Sequence, residues 1–181
     1  MKKYIIQTST LFTVLILFHV CLKGQGTQSA RFSSESIDIG IVVKDLELSA
    51  QFYSEVIGLK EVEGFNVSKE AGKRFGLTDD QPLNIRVFLL GEASNSAKLK
   101  LMSFPNKHGK KSSQRFIHST LGFSYLTIFV ENMTDSLNRL KKANVKLLGE
   151  TTASIGKNGY LTVFKDPDGN FFELIGPMKK L

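Results

Sequence analysis

The sequence predicts an α+β fold: two tandem βαβββ modules forming one domain with a shared concave site. Three observations lead there. The chain has 181 residues, enough to bury one real core. Its apolar pattern runs from strand-like stretches to helical spacing and back, twice over. It also repeats itself. Residues 38–45 (Asp-Ile-Gly-Ile-Val-Val-Lys-Asp) lie over residues 125–132 (Tyr-Leu-Thr-Ile-Phe-Val-Glu-Asn), and Ser49 falls on Ser136. With one extra residue in the first half, Gly58 falls on Asn144.

The first module spans residues 37–104. Residues 37–43 are a short, β-branched run and predict a strand. Asp45 offers an N-cap, and Leu46, Leu48, Ala50, Phe52, Tyr53, Val56 and Ile57 follow at helical spacing. Gly58 ends that helix as a residue able to take positive φ. A strand is predicted over 59–65, a short helix over 67–76, a turn over 79–82, and strands over 83–90 and 98–104. In the last strand Leu99, Leu101 and Ser103 alternate with Lys100, Met102 and Phe104, which defines two faces.

A basic connection, 105–120, leads to the second module, residues 121–177. There the order returns: a strand over 125–130, a cap at Asn132 and a helical stripe of Met133, Leu137, Leu140 and Ala143. Asn144 stands where Gly58 stood, and asparagine also tolerates the left-handed region. Strands are predicted over 145–148, 160–165 and 171–175, the last two joined by the turn Asp166-Pro167-Asp168-Gly169-Asn170. A small curved sheet backed by one helix has one packed and one open face, and two such units make a ligand-sized trough.

The N-terminus reads differently. Lys2 and Lys3 precede an apolar run over 11–22, interrupted by Thr13 and His19, and Gly24 and Gly26 follow. That is the layout of an export signal over 1–26, cleaved after Gly26. Twelve helical residues reach only about 18 Å, short of a bilayer core. The expected destination is therefore secreted or periplasmic, with an uncleaved membrane anchor as the alternative. Residues 27–36 read as a linker and 178–181 as a tail. Cys21 is the single cysteine and lies in the leader, so the mature chain would hold no disulfide or thiolate.

The net charge of +7 depends partly on that leader. Without Lys2, Lys3 and Lys23 the 24 basic residues fall to 21 against 17 acidic ones, or +4. So mild and dispersed an excess does not call for nucleic acid. One denser cluster, Lys107, His108, Lys110 and Lys111, reads as a solvated loop, with an anion contact as the alternative.

Several stretches together resemble one known family. They are residues 39–49, then Phe52-Tyr53 and Gly58-Leu59, and in the second half residues 140–143 and 164–174 with the Asp-Pro-Asp-Gly-Asn turn. They are similar to the vicinal oxygen chelate superfamily, which includes glyoxalases, bleomycin-resistance proteins and extradiol dioxygenases. The resemblance covers residues 37–177. It implies paired modules around a trough, with metal ligands on four strands at Asp38, Lys100, Tyr125 and Glu173.

Those four side chains are a poor metal set. Glu173 and Asp38 are ordinary oxygen ligands, Tyr125 would need deprotonation, and Lys100 has no lone pair while protonated. The expectation is therefore no bound metal and no other cofactor, with a divalent metal as the alternative. A plainer role for Glu173 is a salt bridge to Lys100. Arg86, inside an apolar strand, would bind an anionic substrate if it faced the trough, and would otherwise meet solvent or a carboxylate. His118 is the one histidine near the second module's first strand. The ligand-binding candidates are thus Asp38, Arg86, Lys100, Tyr125 and His118, and Glu173 is the candidate acid/base.

Two functional readings remain open. One is a small-molecule-binding protein without the family metal, monomeric or homodimeric. The other is a lyase or isomerase of glyoxalase or epimerase type, with Glu173 abstracting a proton next to a carbonyl.

Overall fold

The computed structural model describes residues 31–93, 95–150, 152–157 and 159–180. The export signal and most of the linker lie outside the described residues. Ser36–Leu181 forms one compact unit.

The first module runs β1 (Asp38–Val42), α1 (Leu46–Gln51), a π-helical continuation (Phe52–Ile57), β2 (Lys60–Val67), α2 (Lys69–Arg74), β3 (Leu83–Leu89) and β4 (Lys98–Ser103). The second runs β5 (Tyr125–Phe129), α3 (Met133–Lys142), β6 (Ala153–Ser154), β7 (Tyr160–Lys165) and β8 (Phe171–Gly176). The two four-stranded sheets have the orders β1-β4-β3-β2 and β5-β8-β7-β6. In each, the first strand lies parallel to the last, and the remaining pairs are antiparallel. This is the expected tandem βαβββ fold, and β1 and β5 are the corresponding outer strands.

The predicted caps are in place. The Asp45 carboxylate accepts from the backbone N–H of Leu48, and Asn132 from that of Thr134. Gly58 (φ +93°) and Asn144 (φ +54°) both end their helices in the left-handed region.

Three local details depart from the sequence reading. First, the opening helix widens into a π turn, where the Gly58 N–H reaches back five residues to the Tyr53 carbonyl. The wider turn buries Phe52, Tyr53, Val56 and Ile57 together. Second, β2 continues to Val67 through an irregularity between Val62 and Phe65. Gly64 sits there because a Cβ would come within 2.2 Å of the Ile85 carbonyl oxygen. Third, the predicted strand over 145–148 is reduced to an isolated bridge between Leu147 and Phe164. The outer partner of β7 is instead the two-residue β6, which comes from a segment with no predicted strand.

Both sheets press their helix-backed faces into one core. Tyr53 is fully buried, with its ring centroid 6.4 Å from that of Phe88 in the first sheet and 5.6 Å from that of Phe172 in the second. Leu99, Leu101, Ile128, Phe164 and Leu174 join the same cluster. The helical side chains thus reach both sheets from one shared core.

The Asp-Pro-Asp-Gly-Asn turn clasps the modules together. Asp166 is 5% exposed and accepts from the Tyr53 hydroxyl (2.6 Å), the backbone N–H groups of Asp168 and Asn170, and the Asn170 side chain. Asp168 accepts from the Lys44 N–H and the Ser49 hydroxyl, both in the first module. Burial, and then the neighbouring Asp166 carboxylate, push the Tyr53 phenol well above its ordinary value. Desolvation likewise raises the Asp168 carboxyl.

Candidate functional site

Strand alternation decides what each open face carries. In β1, Ile39 and Ile41 pack against the core, so Asp38, Gly40 and Val42 point the other way. In β4, Leu99 and Leu101 are buried, and register places Lys98, Lys100 and Met102 beside that open row. The Lys100 ammonium lies 2.7 Å from the Asp38 carboxylate, and both side chains are partly exposed. The β2–β3 end of this face is filled by Leu83, Ile85 and Val87, packed with Val62, Val67, Met102 and Phe104. A cavity of about 570 Å³ opens beside it, between Val42, Phe104, Leu77 and the Lys107–Gly109 turn. The cluster around Lys107 is a surface loop, tied by Lys107 to Asp79 at 2.6 Å.

On the second sheet the core takes Leu126, Ile128, Phe172 and Leu174, leaving Tyr125, Thr127, Phe129 and Glu173 on the open face. Tyr125 is half-exposed and Phe129 is 77% exposed. The Thr127 hydroxyl donates to Glu173 at 2.7 Å, from the position directly across the strand pair. β7 adds Lys165 beside Phe171, its ammonium 4.1 Å from the ring centroid and bonded to the Gln114 carbonyl.

The structure therefore brings the candidates together in two sets. Asp38 and Lys100 pair on the first sheet, and Tyr125 and Glu173 share the second. No hydrogen bond or ion pair among the described residues joins one set to the other. The salt bridge considered between Glu173 and Lys100 is not formed, and each of the two residues has a partner on its own sheet. Lys100 pairs with Asp38, and Glu173 with Thr127.

Arg86 belongs to neither set. Register places it beside Leu101, on the helix-backed side of its sheet, where it ion-pairs with Glu61 and with Glu47 of α1. The arginine holds the Glu61 carboxyl below the usual range, and the two carboxylates raise the guanidinium's own value. It meets a carboxylate, the plainer of its two sequence readings. His118 stacks on Phe116 at 5.6 Å in the exposed connector. The sequence reading missed Thr127 and Lys165. Both follow from the two-residue period, since Thr127 is two residues beyond Tyr125 and Lys165 ends a strand whose Thr162 and Phe164 are buried.

The family model for the glyoxalase/bleomycin resistance protein/dioxygenase superfamily matches residues 37–174. The chain belongs to this superfamily. No curated protein sequence matches it. Among solved structures, a glyoxalase family protein from Bacillus cereus is similar over 84% of this chain and 99% of its own, with 21% identity and a TM-score of 0.68. The trypanothione-dependent glyoxalase I of Leishmania major is similar over 81% and 87%, with 20% identity and a TM-score of 0.58. An antibiotic binding protein from a Streptomyces species is similar over 82% and 99%, with 18% identity and a TM-score of 0.53. At such identities the likeness establishes the superfamily fold and leaves the chemistry to the site.

The four family-equivalent positions can now be weighed in their surroundings. Lys100 presents an ammonium that already neutralises Asp38, and the Glu173 carboxylate is engaged by Thr127. Tyr125 contributes a phenol. Among the described residues no three His, Cys, Asp or Glu side chains converge. This donor set does not fit the divalent metal of the superfamily's enzymes.

Proposed function

We propose that this superfamily member is an exported, metal-free binding protein for a small organic anion. Lys100 carries the reading: an ammonium at a family ligand position offers a metal no lone pair and, by pairing with Asp38, takes that carboxylate from a metal as well. Lys98, Lys100 and Lys165 on the open faces outnumber Asp38 and Glu173, while Tyr125 and Phe129 offer aromatic surface. Elemental analysis of the purified protein, with thermal shifts against Ni²⁺ and Zn²⁺, tests it. The expected result is substoichiometric metal and no stabilisation, and one tightly held ion per chain would overturn it.

We further propose that the trough is completed by a second copy. A shared hollow needs β1 beside β5, yet within one chain each is an outer strand with no partner strand on its outer edge among the described residues. The exposed Ile37, Val42, Tyr125 and Phe129 lie along those two edges. A twofold dimer pairing β1 of one copy with β5 of the other forms two troughs, each holding Asp38 and Lys100 from one chain and Tyr125 and Glu173 from its partner. Light scattering should give the dimer mass. A monomer that binds ligand with full affinity would refute this assembly.

One observation favours the second reading, a proton-abstracting enzyme. Thr127 fixes the Glu173 carboxylate on an open face, as a general base requires. Turnover of a hemithioacetal that disappears in Glu173→Gln would establish it. Export is supported by the charge, apolar run and small residues of 1–26, and N-terminal sequencing of protein recovered outside the cytoplasm tests it.

A further inference from the structure

A second cavity, of about 820 Å³, lies along α1, its π turn and the C-terminal end of α3. Of the open-face side chains, Asp38, Lys100, Tyr125, Thr127 and Glu173 do not line it, and Lys165 does. Its size falls in the roughly 300–1,000 Å³ range of small-molecule sites. Leu48, Phe52 and Val56 from the first module meet Val145 and Leu148 from the second to give an apolar floor.

Arg139, Lys142, Lys146 and Lys165 bring positive charge to this lining, the Lys165 ammonium being engaged by the Gln114 carbonyl and the Phe171 ring. Two acids also reach it, Glu55 and Asp166. Asp166 is occupied by Tyr53 and Asn170, and Glu55 by Gln51. Arg139 uses Nε and Nη2 on the carbonyls of Val56 and Ile57 and on Ser136, which leaves Nη1 without a partner among the described residues. Lys142 and Lys146 are exposed and make no ion pair among the described residues. An apolar floor with four basic side chains against two acidic ones is complementary to a molecule with an apolar body and an anionic head.

We propose that this cleft binds an amphipathic organic monoanion of the medium-chain fatty carboxylate class. The carboxylate meets Arg139, Lys142 and Lys146, and the chain lies along Phe52, Val56, Val145 and Leu148. The site is complete within one chain, and its occupant bridges the two modules. Lys165 is the one residue it shares with the open faces, and it requires neither the trough's ligand nor a second copy.

Calorimetric titration of the purified protein with dodecanoate is the test. One saturable site per chain is expected, and decanoate should bind about tenfold tighter than octanoate, as two buried methylenes require. Lys142→Glu combined with Lys146→Glu should weaken dodecanoate by about tenfold or more. The milder Lys142→Gln/Lys146→Gln pair should weaken it by a smaller factor, and serves if the reversal unfolds the protein. Lys100→Glu separates this cleft from the trough. Affinity lost in Lys100→Glu but kept in the cleft variants would overturn the assignment. So would affinity independent of chain length, or no saturation below about 1 mM.

Discussion

Replacing Tyr53 by Phe isolates one bond of the clasp between the modules. The ring, with its contacts to Phe52, Phe88 and Phe172, stays in place. What disappears is the hydroxyl that donates to Asp166 at 2.6 Å in a fully buried setting. A hydrogen bond to a charged acceptor is worth about 1.5–3 kcal/mol. Asp166 keeps the N–H groups of Asp168 and Asn170 and the Asn170 amide, so its charge is not orphaned. The expected loss is therefore about 2 kcal/mol, or about 4–8 °C in Tm for a domain of this size. Urea unfolding followed by circular dichroism measures it.

Alkaline pH gives an independent signature. The folded phenol is held well above its ordinary 10.0 by burial and by Asp166. Above pH 10 the unfolded chain loses this proton and the folded one keeps it, so stability falls as pH rises. That slope is about 1.4 kcal/mol per pH unit for one proton. It should be missing from Tyr53→Phe, making the variant's alkaline limb flatter than the parent's. A loss below about 0.5 kcal/mol, or an unchanged alkaline slope, would refute the reasoning.

Other substitutions test other parts of the structure. Gly64→Ala forces a Cβ to within 2.2 Å of the Ile85 carbonyl oxygen and should cost about 1–3 kcal/mol in chemical unfolding. Arg86→Met should cost no more than about 1 kcal/mol, because its partners are partly solvated. Glu61 titrates below its ordinary 4.5 when folded, so the pair stabilises above that pH and its contribution fades as pH falls through the lowered value. The variant's unfolding profile should be flatter in that acid window. Phe129→Lys puts a charge on the β5 edge and should convert the proposed dimer to monomer in sedimentation. In the proposed dimer, Lys100→Glu with Tyr125→His supplies the missing donors to one trough and should give a larger Ni²⁺ or Zn²⁺ thermal shift than the parent chain.

The repeat made the modules legible because each position in it has a local physical cause. Asp45 and Asn132 cap, Gly58 and Asn144 turn left-handed, and the alternation in 98–104 sorts core from open face. Those causes act within a few residues and so leave a trace in the string. The direction in which the modules face leaves none. It is set by Tyr53 meeting Phe88 and Phe172, residues 35 and 119 positions away, and nothing near Tyr53 announces either partner. For the same reason the family-equivalent positions were correctly placed on strands, while the pairing of Lys100 with Asp38, and of Glu173 with Thr127, had to come from register. Arg86 shows the limit from the other side: an arginine in an apolar strand faces either way until parity with Leu101 is known. The Asp-Pro-Asp-Gly-Asn turn was read as a family signature, and its work as a clasp is visible only when Lys44, Ser49 and Tyr53 stand beside it.

Arg139 gives the duplication a further meaning. It grows from α3 yet closes the π turn of the first module, taking the carbonyls of Val56 and Ile57. A half-length chain would leave both oxygens to water and strip the cover from Phe52 and Tyr53. The duplicated halves are thus no longer interchangeable, since each has surrendered part of its autonomy to the other. Cutting the connector should give fragments that regain structure only when mixed, and the intact protein should melt in a single cooperative step.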